Sequence, residues 1–214
     1  MAVNPGDNGV VPFKFVSGDL SLDFVNTVDW TDQGLRDERL ADYDSLVHWA
    51  ESSGAISADV ALRLSDRAFS GHEKTAALSV ARELRSILEH VFARIARARA
   101  PDEGNLQALN KFLGEALGRV HLATGSGEGS GGALQWSWIG MGSEPTCMLW
   151  PVLWSAAALL SGEEVQKLRV CAGVACGWMY LDRSRNGLRR WCEMSTCGAR
   201  AKARRHYERT RGRA

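Results

Sequence analysis

CAGVACGWMYLDRSRNGLRRWCEMSTCG, residues 171–198, holds four of the five cysteines of the chain. They fall as C-x4-C-x15-C-x4-C: Cys171, Cys176, Cys192 and Cys197. Two short pairs separated by a loop suit a tetrahedral cation. Each pair supplies two thiolates from one tight turn, and the segment between folds back to bring the pairs together. Four thiolates close the coordination sphere, so the expected cofactor is one structural Zn2+ per chain, not a catalytic ion. The competing readings are a redox-active disulfide pair or scattered buried thiols, and the symmetry of the spacing argues against scatter. A redox switch that releases the metal stays open.

The same stretch predicts its own folding. Trp178 to Leu181 reads as a strand, Ser184-Arg185-Asn186-Gly187 as a turn built on the favoured Asn-Gly pair, and Leu188 to Trp191 as the returning strand. Thr196 then caps a helix running to about Arg211, with Cys197 in its first turn, where the helix dipole favours a thiolate. Knuckle, hairpin and helix together are similar to the treble-clef class of zinc folds.

Working outward, charge divides the chain near the same place. The 214 residues carry 26 Lys+Arg and 25 Asp+Glu, a net of +1. Residues 1–164 alone carry −9, and residues 165–214 carry +10. Such asymmetry points to a basic binding module. The expected domains are therefore 1–164 and 165–214. Candidate nucleic-acid contacts are Arg183, Arg185, Asn186, Arg189, Arg190, Arg200, Lys202, Arg204, Arg205 and Arg209, with His206 in the same helix. Arginine's planar fork suits phosphate and the guanine edge. The alternative is a cationic face that is merely solvated, or that docks on the acidic half of the same chain. Trp178, Tyr180 and Trp191 either stack on single strands or form the finger's small core.

Upstream, the pattern predicts a mainly helical domain with one small antiparallel hairpin, an α+β arrangement overall. Helices are expected over 43–52, over 58–70 with Ser57 as cap, over 73–100 ahead of Pro101, over 103–119 and over 145–161. The stretch 20–28 reads as helix or as strand, 13–16 as a short strand, 32–39 as a loop and 1–11 as a loose tail. HLAT near 121 and ALQWSWI (133–139) form a hairpin across a Gly-rich tip, 125–132. That tip has no Lys-Ser/Thr ending, so a phosphate loop is not expected. The most apolar window, 147–160, is broken by Pro151 and shorter than the roughly 20 residues a membrane crossing needs. Cys147 lies in it as a buried small hydrophobe. Asp23 and Asn26 stand three apart among apolar residues, either as a polar handle in a ligand pocket or as hydrogen bonding that fixes a buried turn. Trp136, Trp138, Trp150 and Trp154 read as core.

Cys171…Cys176-Gly177-Trp178…Leu181-Asp182-Arg183-Ser184-Arg185-Asn186…Arg189-Arg190-Trp191-Cys192…Cys197-Gly198-Ala199-Arg200-Ala201-Lys202 resembles the CGNR zinc-finger family. Phe15…Ser17-Gly18…Leu20…Leu22-Asp23-Phe24-Val25-Asn26-Thr27 resembles the ABATE domain that commonly precedes that finger. The resemblance implies a bacterial stress-induced transcription regulator whose finger binds DNA. One position departs: the signature Asn is Ala199 here. Whatever that Asn caps, orients or reads is lost.

The resulting expectation is a cytoplasmic DNA-binding regulator, not an enzyme, with the N-terminal domain as a sensing or dimerising unit. A nuclease would need a clustered metal site, and Asp182, Glu193, His206 and Glu208 form none in sequence. RNA binding and a zinc-shaped protein adaptor are the alternatives. A homodimer and a small-molecule effector of the N-terminal domain stay open, and no membrane partner is expected.

Overall fold

The computed structural model describes residues 12–31, 34–66, 69–124 and 133–211. The expected tail at 1–11 and the Gly-rich tip at 125–132 lie outside them.

Helix α4, Gly71–Ala96, is the axis of the fold. Ser70 caps it in a capping box with Glu73, satisfying two of the orphan amides at its start. Its three-and-four spacing buries Ala81, Leu84, Leu88, Val91 and Phe92 on one side. Against it pack α1 (Leu20–Val25), α2 (Tyr43–Ser52) and α5 (Glu103–Leu117). Helix α6, Leu149–Ser161, closes the body on α1 and α5. Asp19 caps α1, accepting from the amides of Ser21 and Leu22, and Asp42 caps α2 in a second capping box. Helix α3 spans Ala58–Asp66, shorter than expected from the sequence. No helix among the described residues is long and apolar enough to cross a membrane.

Among the described residues, three two-stranded antiparallel sheets decorate this bundle. The predicted hairpin is present as β3 (Val120–Thr124) with β4 (Leu134–Trp138), Leu122 opposite Trp136. Trp136, Trp138, Trp150 and Trp154 form a row with neighbouring ring centroids 5.6 to 6.2 Å apart. Trp150 is core, whereas Trp136 is 61% exposed, which corrects the expectation that all four are buried. Residues 34–38, expected as a loop, form β2 (Gly34–Glu38) beside β1 (Val28–Thr31). Residues 13–16 run without secondary structure.

The third sheet is the larger correction. The strand at Met179–Leu181 (β6) pairs with β5, Leu168–Val170, and not with 188–191, which form no strand. Leu168, Met179 and Leu181 are at most 2% exposed and belong to the same core as α1, α4 and α6. The sign of the charge changes at residue 165, but the packing does not stop there.

Buried polar groups tie the two parts. The Asn26 side chain donates to the carbonyl of Met179 at 2.8 Å and accepts from its amide at 2.9 Å. It thus completes the outer edge of β6 as a neighbouring strand would. The Leu181 amide donates to the carbonyl of Ser17 at 2.8 Å. Asp23 accepts from the Ser17 amide at 3.1 Å, and burial raises its carboxyl to about 6. Arg85, 6% exposed, forms a bidentate ion pair with Glu38 and donates to Thr27. That pairing offsets the burial of Glu38 and leaves its carboxyl below the usual range.

Candidate metal centre and nucleic-acid interface

The first cysteine pair is set by a tight turn. Gly173 donates its amide to Cys171 Sγ at 3.3 Å, and Cys176 donates to the carbonyl of Gly173. A Cβ on Gly173 would lie 3.0 Å from Cys197 Sγ and 3.3 Å from Cys171 Sγ, so any larger residue would crowd the converging sulfurs. Ala175 adopts a φ of 58°, the left-handed conformation that lets the chain reverse within four residues. The second pair is joined by a π turn, Met194–Gly198, from which α7 (Ala199–Arg211) continues. Cys197 therefore sits one turn before α7, close to the expected position.

All four sulfurs lie within 4.8 Å of one another. Cys176 and Cys192 are 3.9 Å apart, and Cys192 and Cys197 are 3.7 Å apart. Zn–S bonds of about 2.3 Å at tetrahedral angles put sulfurs roughly 3.8 Å apart, so the cage fits the ion. Hydrogen bonds from the Cys176 and Cys192 thiols lower the Cys171 thiol, and the same sharing raises those of Cys176 and Cys192. A dication replaces those shared protons with four thiolates.

Around the cage stands a core of only a few residues, Trp178, Tyr180 and the cysteines, with Val16 and Trp191 packed on it. Trp178 and Tyr180 are buried, so neither is open to stack on a base. Asp182 organises the loop that follows. Its carboxylate accepts from the Ser184 hydroxyl and amide and from the Arg189 amide, and these bonds hold it below the usual carboxylate range. The Asp-x-Ser turn signal is readable in the sequence, although the loop's candidates there are its basic residues and Asn186.

The candidate nucleic-acid residues divide. Arg189 donates to the carbonyls of Val16, Trp191 and Cys192 and lies 4.2 Å from the centroid of the Tyr180 ring. Arg183 donates to the carbonyl of Gly18 and is paired with Glu164. Both guanidinium groups are engaged by protein acceptors, Arg189 half-buried and Arg183 in an exposed ion pair, which sets them apart from the unpaired cations. Asn186 accepts from the Leu188 amide and serves its own turn. Arg185 is exposed, and Arg190 lies over the Trp191 ring. Arg200, Lys202, Arg204, Arg205 and Arg209 share α7, where no residue is buried. Between the basic half and the acidic half the contacts are selective, made through β6, Arg183 and Arg189.

A cleft of about 170 Å3 opens beside the cage. Lys14 and Arg39 reach it from the N-terminal body, and Arg200 from the head of α7. Zn2+ on four thiolates carries a net −2. Arg39 and Arg200, whose side chains have no protein partner among the described residues, line the same cleft as Cys176, Cys192 and Cys197, with Asp29 beside them, and would face that charge if the metal were bound. Arg39 was not singled out from the sequence, because its neighbour across the cleft is remote in the chain.

A helical body bearing a four-cysteine centre and an exposed basic helix defines a zinc-finger protein. The profile of the ABATE family, described as "Putative stress-induced transcription regulator", matches residues 18–163. The profile of the CGNR zinc finger matches residues 167–210. The chain belongs to the ABATE family and carries a CGNR zinc finger after that domain. No match is found among curated proteins.

Proposed function

We propose that this chain is a DNA-binding transcription regulator acting in the cytoplasm, with the zinc-held finger presenting α7 to DNA. The observation that carries this reading is α7 itself. It has six Lys+Arg against one acid, Glu208, and buries none of its 13 residues. A lone helix of that length is marginal in water, and a polyanion supplies the missing partner. Among the described residues, the finger's cations without an acidic partner on its exposed side are Arg185, Arg190 and the α7 set.

The N-terminal body is the sensing or dimerising unit of this proposal. Its state reaches the finger through Asn26, through the shared core at Met179 and Leu181, and through Arg189 on Val16. The protein is not read as a nuclease. Asp182 is committed to its loop and Glu193 to Lys14 and Thr196, so neither carboxylate is free to activate water.

The test is genomic occupancy of the tagged chain, with all four cysteines replaced by Ser as control. Discrete occupied sites that vanish in the control are expected. Equal, featureless recovery of both proteins would contradict the reading and favour an adaptor.

A further inference from the structure

Helical geometry sorts the side chains of α7 into four faces. Residues advance by about 100° each. Arg204 and Arg211 fall on one flank with Tyr207 beside them, and Arg200 stands at the head of that flank, where its side chain also lines the cleft beside the cage. Lys202, Arg205 and Arg209 fall on the opposite flank. Between the flanks, on one side, run the small or uncharged Ala199, Ala203, His206 and Thr210. On the other side lie Glu208, the only acid of the helix, and Ala201, its only half-buried residue. The helix therefore has two cationic walls, a narrow strip between them, and a back.

We infer that α7 lies along the major groove of B-form DNA, each wall against one phosphate backbone and the Ala199–Ala203–His206–Thr210 strip facing the base edges. This rests on the DNA-binding reading above and specifies its geometry. A helix about 10–12 Å across fills a major groove about 12 Å wide, with a phosphate strand on each side. A single charged strand would be matched by one wall, leaving the other without a partner. The two-walled pattern is complementary to two strands. The back agrees with this orientation, because Glu208 points away from both backbones. His206 lies 3.4 Å from Arg209, so its ring is held at the edge of the strip, where it reaches a base acceptor or donor. The methyl groups of Ala203 and Thr210 suit the thymine methyl. In an RNA duplex the major groove is deep and narrow, and this helix does not enter it.

The experiment uses the zinc-loaded full chain and three probes: a random-sequence 24-base-pair DNA duplex pool, an RNA duplex of the same length, and single-stranded DNA. The DNA duplex is expected to bind at least tenfold tighter than the RNA duplex at equal salt. Dimethyl sulfate marks guanine N7 in the major groove and adenine N3 in the minor groove. The bound DNA fraction is expected to be depleted of methylguanine and not of methyladenine. Arg204→Gln and Arg205→Gln, one from each wall, should each reduce the salt slope by about one phosphate contact, whereas Glu208→Gln leaves it unchanged. Equal salt-sensitive binding of all three probes, depletion of methyladenine instead, or loss of slope from one wall alone overturns the groove geometry while DNA binding stands. Absence of salt-sensitive binding to every probe overturns both.

Discussion

Replacing Cys192 by Ser, or stripping the metal with a strong chelator, is expected to unfold residues 171–198 and to lower the melting temperature of the entire chain by roughly 10–20 °C. The finger has too few buried side chains to stand alone, and in such modules the metal's binding free energy is folding free energy. The effect on the body follows from where β6 packs. Met179 and Leu181 are each 2% exposed within the main core. Losing each costs about 2–3 kcal/mol of burial. In a chain of this size about 1 kcal/mol moves the melting point by about 2–4 °C. A differential scan of the metal-loaded and chelated chain measures this. A finger merely tethered to the body would leave the body's transition where it was, and that outcome would refute the shared core.

The second large effect is expected at Asn26. Its side chain is 3% exposed and makes two hydrogen bonds to the backbone of Met179. Asn26→Ala leaves a buried amide and a buried carbonyl without partners, at about 1–3 kcal/mol for each. The expected loss is therefore about 2–6 kcal/mol. Asn26→Asp keeps the acceptor for the Met179 amide but sets a carboxylate against the Met179 carbonyl, so it does not rescue. Asn186→Ala, in an exposed turn, is the control, with a loss below about 0.5 kcal/mol. Urea titrations of the three variants decide the matter. If Asn26→Ala behaved like the control, the seam between β6 and the body would not be held as described.

The contrast between Asn26 and the cysteines explains what the sequence could disclose. The four cysteines announce their site because ligand spacing is local and chemically narrow. The long helix was legible for a similar reason: its periodicity and the following Pro101 are short-range signals that predict 73–100, against Gly71–Ala96 in the structure, and the Ser70-Glu73 box that sets its start went unread. Asp23 and Asn26 were recognisable as buried polar residues, but the partner of Asn26 is 153 residues away. Nothing in local spacing names it. Strand pairing failed in the same manner. The pattern at 178–181 identified a strand, while its mate at 168–170 is three residues long and carries too little alternation to stand out. Arg183 and Arg189 were read as part of a basic surface because sequence counts charges and does not see acceptors. Only the fold brings the carbonyls of Gly18 and Val16 within their reach.

Ala199 gains meaning from the same geometry. It opens the strip between the two walls of α7, at the position where the family signature has Asn. In the proposed groove geometry its methyl group would meet a base edge but could not make the paired hydrogen bonds by which an Asn amide recognises adenine.

The central claim is that a zinc-held basic helix binds DNA through phosphate contacts, and equilibrium binding to a DNA duplex across a salt series tests it most directly. With about six phosphates neutralised, the logarithm of the binding constant should fall against the logarithm of salt with a slope near about −5, and chelation should abolish binding. A flat dependence, or binding that survives removal of the metal, would contradict it.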